Sequence, residues 1–252
     1  MDAQGRELVR YRCPTLKASY SQFVESVVAF IDQIRHDRQQ PMMTGIALPG
    51  SVSPLNGLIK NSNIQVINGR PLQTDLRQLL GQTVVMANDG NCFALSEACD
   101  GAGQQHEVVF GITLGTGCGG GIVVHRQPFV GAWGNAAECG HITLPGYSEQ
   151  HDGPPARCYC GKDNCVESFV SGTGLSERYQ RLNGQHLTGD AIVALAQQGE
   201  PDAVRQVRRF RQQLARTLAT VVNLLDPGVI VIGGGLSNAA LLITDLADEV
   251  AP

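Results

Sequence analysis

Val108-Val109-Phe110-Gly111-Ile112-Thr113-Leu114-Gly115-Thr116-Gly117-Cys118-Gly119-Gly120-Gly121-Ile122-Val123-Val124 joins two apolar runs through a cluster of glycines. The pattern predicts a strand over 108–114 and another over 121–124. Glycines at such a junction let backbone N–H groups turn toward an anion, and Thr116 adds a hydroxyl donor. That is the physics of a phosphate loop. Taken alone, the cluster reads more readily as a tight β-hairpin turn. A second cluster, Gly233-Gly234-Gly235-Leu236-Ser237, follows the apolar run 229–232 and opens a helix. Many α/β folds need such a turn for packing alone.

Outward from these loops the pattern alternates. Phe23, Val27, Ile31 and Ile34 predict an amphipathic helix over 20–35, and Leu72, Leu76, Leu79 and Leu80 another over 71–80. Short strands are expected over 44–48, stopped by Pro49-Gly50, and over 83–87, followed by a helix over 91–99. Val207, Phe210, Leu214, Leu218, Val221 and Leu225 define a long helix from about Ala203, which Asp226-Pro227 stops. Residues 6–13 alternate loosely and read as a strand ended by Pro14. Residues 129–161 carry many Gly and Pro and read as ordered loop. Helices alternating with strands give an α/β class. A hinge near 101–105 divides the chain into domains 1–104 and 105–252.

Composition narrows the function. The 252 residues are 42% hydrophobic and 17% charged, with a net charge of −4. An acidic balance argues against a nucleic-acid surface. The longest apolar runs are strand-sized, so no membrane span is expected, and the N-terminus lacks the apolar core of a secretory signal. The expected location is the cytoplasm. The 30 glycines suit loops that approach a ligand closely.

Of the eight cysteines, Cys158, Cys160 and Cys165 lie within eight residues, bent around Gly161. With His141 upstream they complete a tetrahedral, closed zinc site, which holds loops and does no Lewis-acid work. Three buried thiols without metal are the bland reading, and a loop is a poor place for them. Cys13, Cys92, Cys99, Cys118 and Cys139 read as buried or semi-buried thiols. Glu138 and Glu167 each stand beside a metal ligand, so the metal would gather two carboxylates and an imidazole, which suits a polyhydroxylated ligand. Asp89 ends a predicted strand, where α/β proteins place ligands. Alone it reads as a turn or N-cap residue more readily than as a base.

Together these pieces resemble the ROK family of sugar kinases and sugar-responsive repressors. The resemblance is carried by 45–50, Ala87-Asn88-Asp89-Gly90-Asn91-Cys92, the loop 115–121, Ala137-Glu138-Cys139-Gly140-His141, the cysteine cluster with Glu167, Ser171-Gly172-Thr173-Gly174, and the turn 233–238. Residues 50–54, 60–63 and 223–227 further resemble the bacterial fructokinase branch. The resemblance implies an actin-like ATPase (ribonuclease H-like) fold of two α/β domains around a cleft, and transfer of the ATP γ-phosphate to the 6-hydroxyl of a hexose, fructose favoured. N-acetylglucosamine, mannose and glucose are the alternatives, with an inactive sugar-binding regulator beside them. It implies Asp89 as catalytic base and Asn88, Glu138, His141 and Glu167 as sugar-binding groups. Gly115, Thr116, Gly117 and Gly119 would meet the phosphates, and Gly234 and Gly235 the adenosine side. His141, Cys158, Cys160 and Cys165 would hold structural Zn2+, with Mg2+ accompanying ATP. Partners are a hexose, ATP and a second copy in a homodimer, with no nucleic acid and no membrane.

The sequence departs from the family's pattern in three places. Asn164 stands for the usual Gly before the last cysteine, and Asn tolerates a left-handed backbone. Ala136-Ala137-Glu138 replaces Ala-Gly-Glu, expected to be mild. The family's first hairpin, with its Asp-x-Gly-Gly-Thr phosphate loop, and its closing helices are expected to lie outside these residues. On that reading 6–13 becomes an exposed edge strand and the chain shows little kinase activity.

Overall fold

A computed structural model describes residues 1–2, 5–38 and 42–250. The chain parts into two compact units, Met1–Asn88 and Asp89–Pro252.

The first unit opens its regular structure with helix α1 (Tyr20–Arg38) and strand β1 (Thr44–Leu48). A small hairpin of β2 (Ser51–Val52) and β3 (Ile59–Lys60) follows, then helix α2 (Leu72–Leu80) and strand β4 (Val84–Asn88). β1 and β4 pair in parallel, from Thr44 opposite Val84 to Leu48 opposite Asn88. Leu72, Leu76 and Leu80 recur every four residues, so they line one face of α2. They bury against Phe23 and Val24 of α1 and against Leu48, Ile59, Ile67, Val84 and Met86. Gly81 closes α2 in the left-handed conformation, φ 61°.

The expected strand over 6–13 is absent: residues 5–17 carry no regular structure. The alternation there is a pattern of charges as much as of apolar groups. Arg6 pairs with Asp2 at 2.6 Å and Arg10 with Glu7, each with a partner three or four residues away. Leu8, Val9 and Tyr11 stay exposed. A strand needs a neighbour to satisfy its backbone, and among the described residues β1 and β4 pair only with each other.

The second unit is built on a four-stranded sheet in the order β7-β6-β5-β8. Helix α3 (Asp89–Cys99) precedes the antiparallel hairpin of β5 (Val108–Leu114) and β6 (Cys118–Val124), with β7 (Gln127–Pro128) at the edge. After a long loop holding the one-turn helix α4 (Glu149–Asp152) come α5 (Gly172–Asn183), α6 (Gly189–Gln197) and α7 (Pro201–Leu225). Strand β8 (Val229–Gly233) then pairs in parallel with β5, and the short helices α8 (Ala240–Ile243) and α9 (Leu246–Val250) follow.

Side-chain alternation along β5 assigns its two faces. Phe110, Ile112 and Leu114 join the main core with Phe210, Leu214 and Leu218 of α7. Val109 faces the other way and packs with Ala94 and Ala98 of α3 and Val123 of β6. The glycines of β6 follow the same alternation. A Cβ at Gly120 would stand 2.6 Å from the Ala137 carbonyl oxygen and 3.1 Å from Cys139 Sγ. A Cβ at Gly121 would stand 2.8 Å from that of Ala94 and closer still to the Gly90 carbonyl oxygen. The cluster that opened the sequence reading therefore admits a loop on one face of the sheet and a helix on the other.

That packing of α3 places it in the second unit. The division falls at Asn88 and Asp89, ahead of the hinge expected at 101–105. The loop reading of 129–161 agrees with the structure except at α4 and a 3-10 turn, Cys139–His141. Helices α5 and α6 lie in a stretch read only for its motifs. The long helix starts two residues before the expected Ala203. Glu200 caps it, its side chain accepting from Asp202 N at 3.2 Å and Ala203 N at 2.6 Å, with Pro201 at the first turn. Cys13 and Cys99 are exposed, against the expectation of burial. Among the described residues no helix is long and apolar enough to cross a membrane.

Candidate functional site

Four donor atoms converge in the loop after β7. The 3-10 turn carries His141, and the segment 158–165 carries three thiols. Gly161 at φ 91° and Asn164 at φ 57° turn that segment back on itself. Cys158 N donates to Lys162 O at 2.9 Å, Gly161 N to Cys158 O at 3.0 Å, and Ala156 N to Asn164 Oδ1 at 2.9 Å. Asn164 thus fills the left-handed position and adds a side-chain acceptor that Gly lacks. The two histidine and cysteine strands of the loop are stitched by Leu144 N to Asn164 O at 2.7 Å and Val166 N to Ile142 O at 2.9 Å.

As a result the donor atoms of His141, Cys158, Cys160 and Cys165 all lie within 4.8 Å of one another. His141 Nδ1 is 3.6 Å from Cys158 Sγ, and Cys160 Sγ is 3.5 Å from Cys165 Sγ. Sulfurs around a tetrahedral metal at about 2.3 Å stand about 3.8 Å apart, so this spacing suits such an ion. Burial pushes the Cys158 thiol up, and pushes Cys165 up to about 12 with help from the neighbouring thiols. Burial acts the same way on Cys160, but the Lys162 amide and the adjacent thiols outweigh it and hold Cys160 below its ordinary value.

The two carboxylates flank this cluster. Glu138 is half-buried at the start of the 3-10 turn. The residue before it, Ala137, sits at φ 65°. The replacement of Gly expected to be mild therefore places an alanine in the left-handed region, at a cost of about 1 kcal/mol. Glu167 lies on the turn Val166–Ser168, and its Oε2 accepts from Cys118 N at 3.0 Å. Glu167 is thereby tied to the glycine loop.

Tyr159, which the sequence reading did not single out, completes the group. Its hydroxyl is 3.1 Å from His141 Nε2, and its ring meets the imidazole edge-on, centroids 5.2 Å apart at 87°. Burial pushes its hydroxyl up to about 12, and the charges of Glu167, Cys158 and Glu138 add to that. No sequence pattern marks the residue, because its role comes from the loop's turn at Gly161.

The glycine loop lines a separate cavity of about 540 Å³. Gly115 and Thr116 form one wall and Gly235 and Leu236 another. The rest includes Thr173 and Glu177 of α5 and Thr188 and Asp190 at the start of α6. Gly172 N donates to Gly115 O at 2.7 Å, and Ser171 caps α5 by accepting from Gly174 N at 2.9 Å. The Ser171 hydroxyl also donates to Glu167 O at 2.7 Å. So the cavity, the glycine loop and Glu167 share one network. Gly117, Gly119 and Gly234 stand outside the lining. Gly117 backs onto Glu167, and Gly234, at φ 88°, lets the chain pass close to the Leu114 backbone.

Asp89 is the first residue of α3. It is exposed, and its Oδ1 accepts from Gly90 N at 2.9 Å. Asn88 ends β4 in the first unit, where its amide donates to Gly50 O at 3.1 Å. The structure thus gathers the metal-type donors, Glu167 and the cavity within the second unit.

The model of the ROK family matches residues 1–252. The chain belongs to the ROK family. This ROK protein is 37% identical over 246 residues to the N-acetyl-D-glucosamine kinase of Salmonella typhimurium, covering 95% of this chain and 80% of that one. Its fold matches the ROK family glucokinase from Streptomyces griseus, solved with glucose and AMPPNP, at a TM-score of 0.78 and 28% identity, covering 99% of this chain and 81% of that one. It matches the ROK hexokinase from Thermus thermophilus at 0.77 and 27% identity, covering 94% and 77%. The fold is the actin-like ATPase fold of these sugar kinases, mixed α/β as expected. None of the three is a fructokinase, so the fructokinase likeness read from 50–54, 60–63 and 223–227 finds no support in them.

Proposed function

We propose that this ROK protein transfers the γ-phosphoryl group of ATP to the 6-hydroxyl of an acceptor sugar, and that N-acetylglucosamine is preferred to fructose. The observation that carries the reading is the network joining the glycine loop, Glu167 and the histidine-cysteine cluster within one unit. The 37% identity to an N-acetylglucosamine kinase over nearly the whole chain supports the sugar.

The residues divide the work. Asn88, Glu138, His141 and Glu167 bind sugar hydroxyls. Asp89 accepts the proton of the attacking hydroxyl as the new O–P bond forms and the bond to ADP breaks. Phosphoryl transfer asks mainly for positioning and charge neutralisation. Thr116, in the cavity wall beside Gly115, supplies its hydroxyl as a donor to the phosphates, while Gly235, in the facing wall, leaves room for the nucleoside. Magnesium bound with the ATP would supply the neutralisation of phosphate charge. Zinc is the ion that three thiolates and one imidazole fit best. His141, Cys158, Cys160 and Cys165 would hold it, and so held it would fix the loop from which Glu138, His141 and Glu167 project.

ADP release measured with N-acetylglucosamine, glucose, mannose and fructose checks the assignment. We expect kcat/KM for N-acetylglucosamine to exceed that for fructose by about tenfold or more, the scale on which a site built for one substituent discriminates. Equal or reversed preference removes N-acetylglucosamine as the substrate.

A further inference from the structure

Helix α5 leaves its cap at Ser171 and turns Arg178 inward, where only 4% of the residue is exposed. Among the described residues no carboxylate pairs with this guanidinium. Its Nη1 donates to Pro154 O and its Nε to Ser168 O at 3.5 Å. Its Cζ stands over the buried Phe169 ring, 4.0 Å from the centroid, and its Nη2 is buried without a partner. A second cation faces the same loop: a Cβ at Gly153 would stand 3.5 Å from Arg209 Nη1 and 4.0 Å from Arg178 Nη1. A buried charge without a counter-charge is costly, and an apolar side chain of similar volume is often as stable there or more so. Stability alone is a poor reason for arginine at this place. Its planar fork of five donors is the better one, since it reaches two carbonyls and a ring at once.

The two carbonyls show what the fork joins. Pro154 precedes the cysteine segment 158–165 and Ser168 follows it, so one side chain bridges both flanks of that segment. Arg181 adds a bond to Pro155 O at 3.4 Å. The four metal-type donors gather the tip of the segment, and Arg178 closes its base. Ser168 adjoins Glu167, whose carboxylate accepts from Cys118 N and whose carbonyl accepts from the Ser171 hydroxyl. The turn that carries Glu167 is thus held from α5 at two points, Ser171 and Arg178, about two helical turns apart.

We propose that Arg178 is a positioning residue for the sugar site: by bridging Pro154 and Ser168 it fixes the turn Val166–Ser168, so that Glu167 meets the acceptor sugar already oriented. This rests on the reading of Glu167 as a sugar-binding group. The competing explanation is a clamp that serves only the stability of the loop.

A double-mutant cycle read by calorimetric titration with N-acetylglucosamine separates the two, with zinc content and thermal unfolding measured beside it. Its members are wild type, R178M, E167Q and the double variant. Methionine fills most of the volume and removes every donor. We expect R178M to keep its zinc and a cooperative unfolding transition, and its Kd to rise about threefold to tenfold, the worth of one hydrogen bond. In the E167Q background the same change should move Kd by less than about twofold, because a residue that acts through Glu167 has nothing left to orient. R178K keeps the charge and reaches one carbonyl, so it should fall between wild type and R178M, and it takes the place of R178M in the cycle if that variant does not fold. An effect of equal size in both backgrounds overturns the proposal. Loss of zinc or of cooperative unfolding from both R178M and R178K makes the residue a prop of the fold and overturns it too. Wild-type affinity in R178M with weakened E167Q removes Arg178 and leaves the site reading intact. Wild-type affinity in E167Q removes the site reading and the proposal with it.

Discussion

Asp89→Asn lowers turnover by about a hundredfold to ten-thousandfold, the usual range for loss of a general base, while N-acetylglucosamine still binds. The substitution keeps the shape of the side chain and removes the basic lone pair. The surroundings favour a clean result. Asp89 is exposed at the head of α3, and its Oδ1 accepts from Gly90 N, a bond that the Asn oxygen can also make. Helix α3 is held by Ala94 and Ala98 in the core, both more than a turn beyond Asp89. Folding and sugar affinity should therefore survive. Rapid-quench measurement of the chemical step, with calorimetry for binding, reads both halves. Turnover within a fewfold of wild type would reduce Asp89 to a capping residue.

Cys160→Ser has the second large effect. We expect wild-type protein purified without added metal to hold about one zinc per chain, and the variant to lose most of it. Cys160 is exposed, so the change removes a thiolate without opening a cavity. Its loss leaves three donors, and Cys158 and Cys165 then bury thiols with raised proton affinity. The backbone bonds that fold 156–165 remain few, so the segment should become open to protease. Sugar affinity should fall with the metal, by about tenfold or more, because support of this kind is typically worth that much. Full zinc in the variant would remove Cys160 from the site, and intact sugar affinity after zinc loss would separate the metal from the sugar.

The parts of the fold legible in the sequence are those whose burial repeats at a fixed period. α7 was readable because Val207, Phe210, Leu214 and Leu218 keep helical spacing. β5 was readable because five apolar side chains among seven residues run into the glycine cluster. α5 was hidden because Gly172 and Gly174 occupy its first turn, and glycine there reads as loop. Its signal lay in Ser171, which caps it, and in Leu175 and Tyr179 one turn apart. α6 carried a similar signal in Thr188, which accepts from Ala191 N. The run 6–13 misled because alternation shows only that a segment could pair, and its partner is a matter of topology.

The candidate site divides in the same way. The cysteine spacing announced a metal loop, since ligand chemistry is written locally. The bond from Cys118 N to Glu167 spans 49 residues and no local pattern encodes it. Tyr159 was invisible for the same reason: its meaning depends on where Gly161 turns the chain. Ala137 shows the converse. The sequence exposed the missing glycine, and only the φ of 65° shows that the alanine bears the strain.

The central claim is phosphoryl transfer to a sugar, and 31P NMR of the protein with MgATP and N-acetylglucosamine tests it most directly. The account predicts that the γ-phosphate resonance of ATP decays as a sugar phosphate monoester grows in equal amount, with the carbon and proton shifts of C6 moving as the ester forms. ATP that stays intact while calorimetry shows the sugar bound would contradict it, and would make this member of the ROK family a sugar-binding protein without kinase activity.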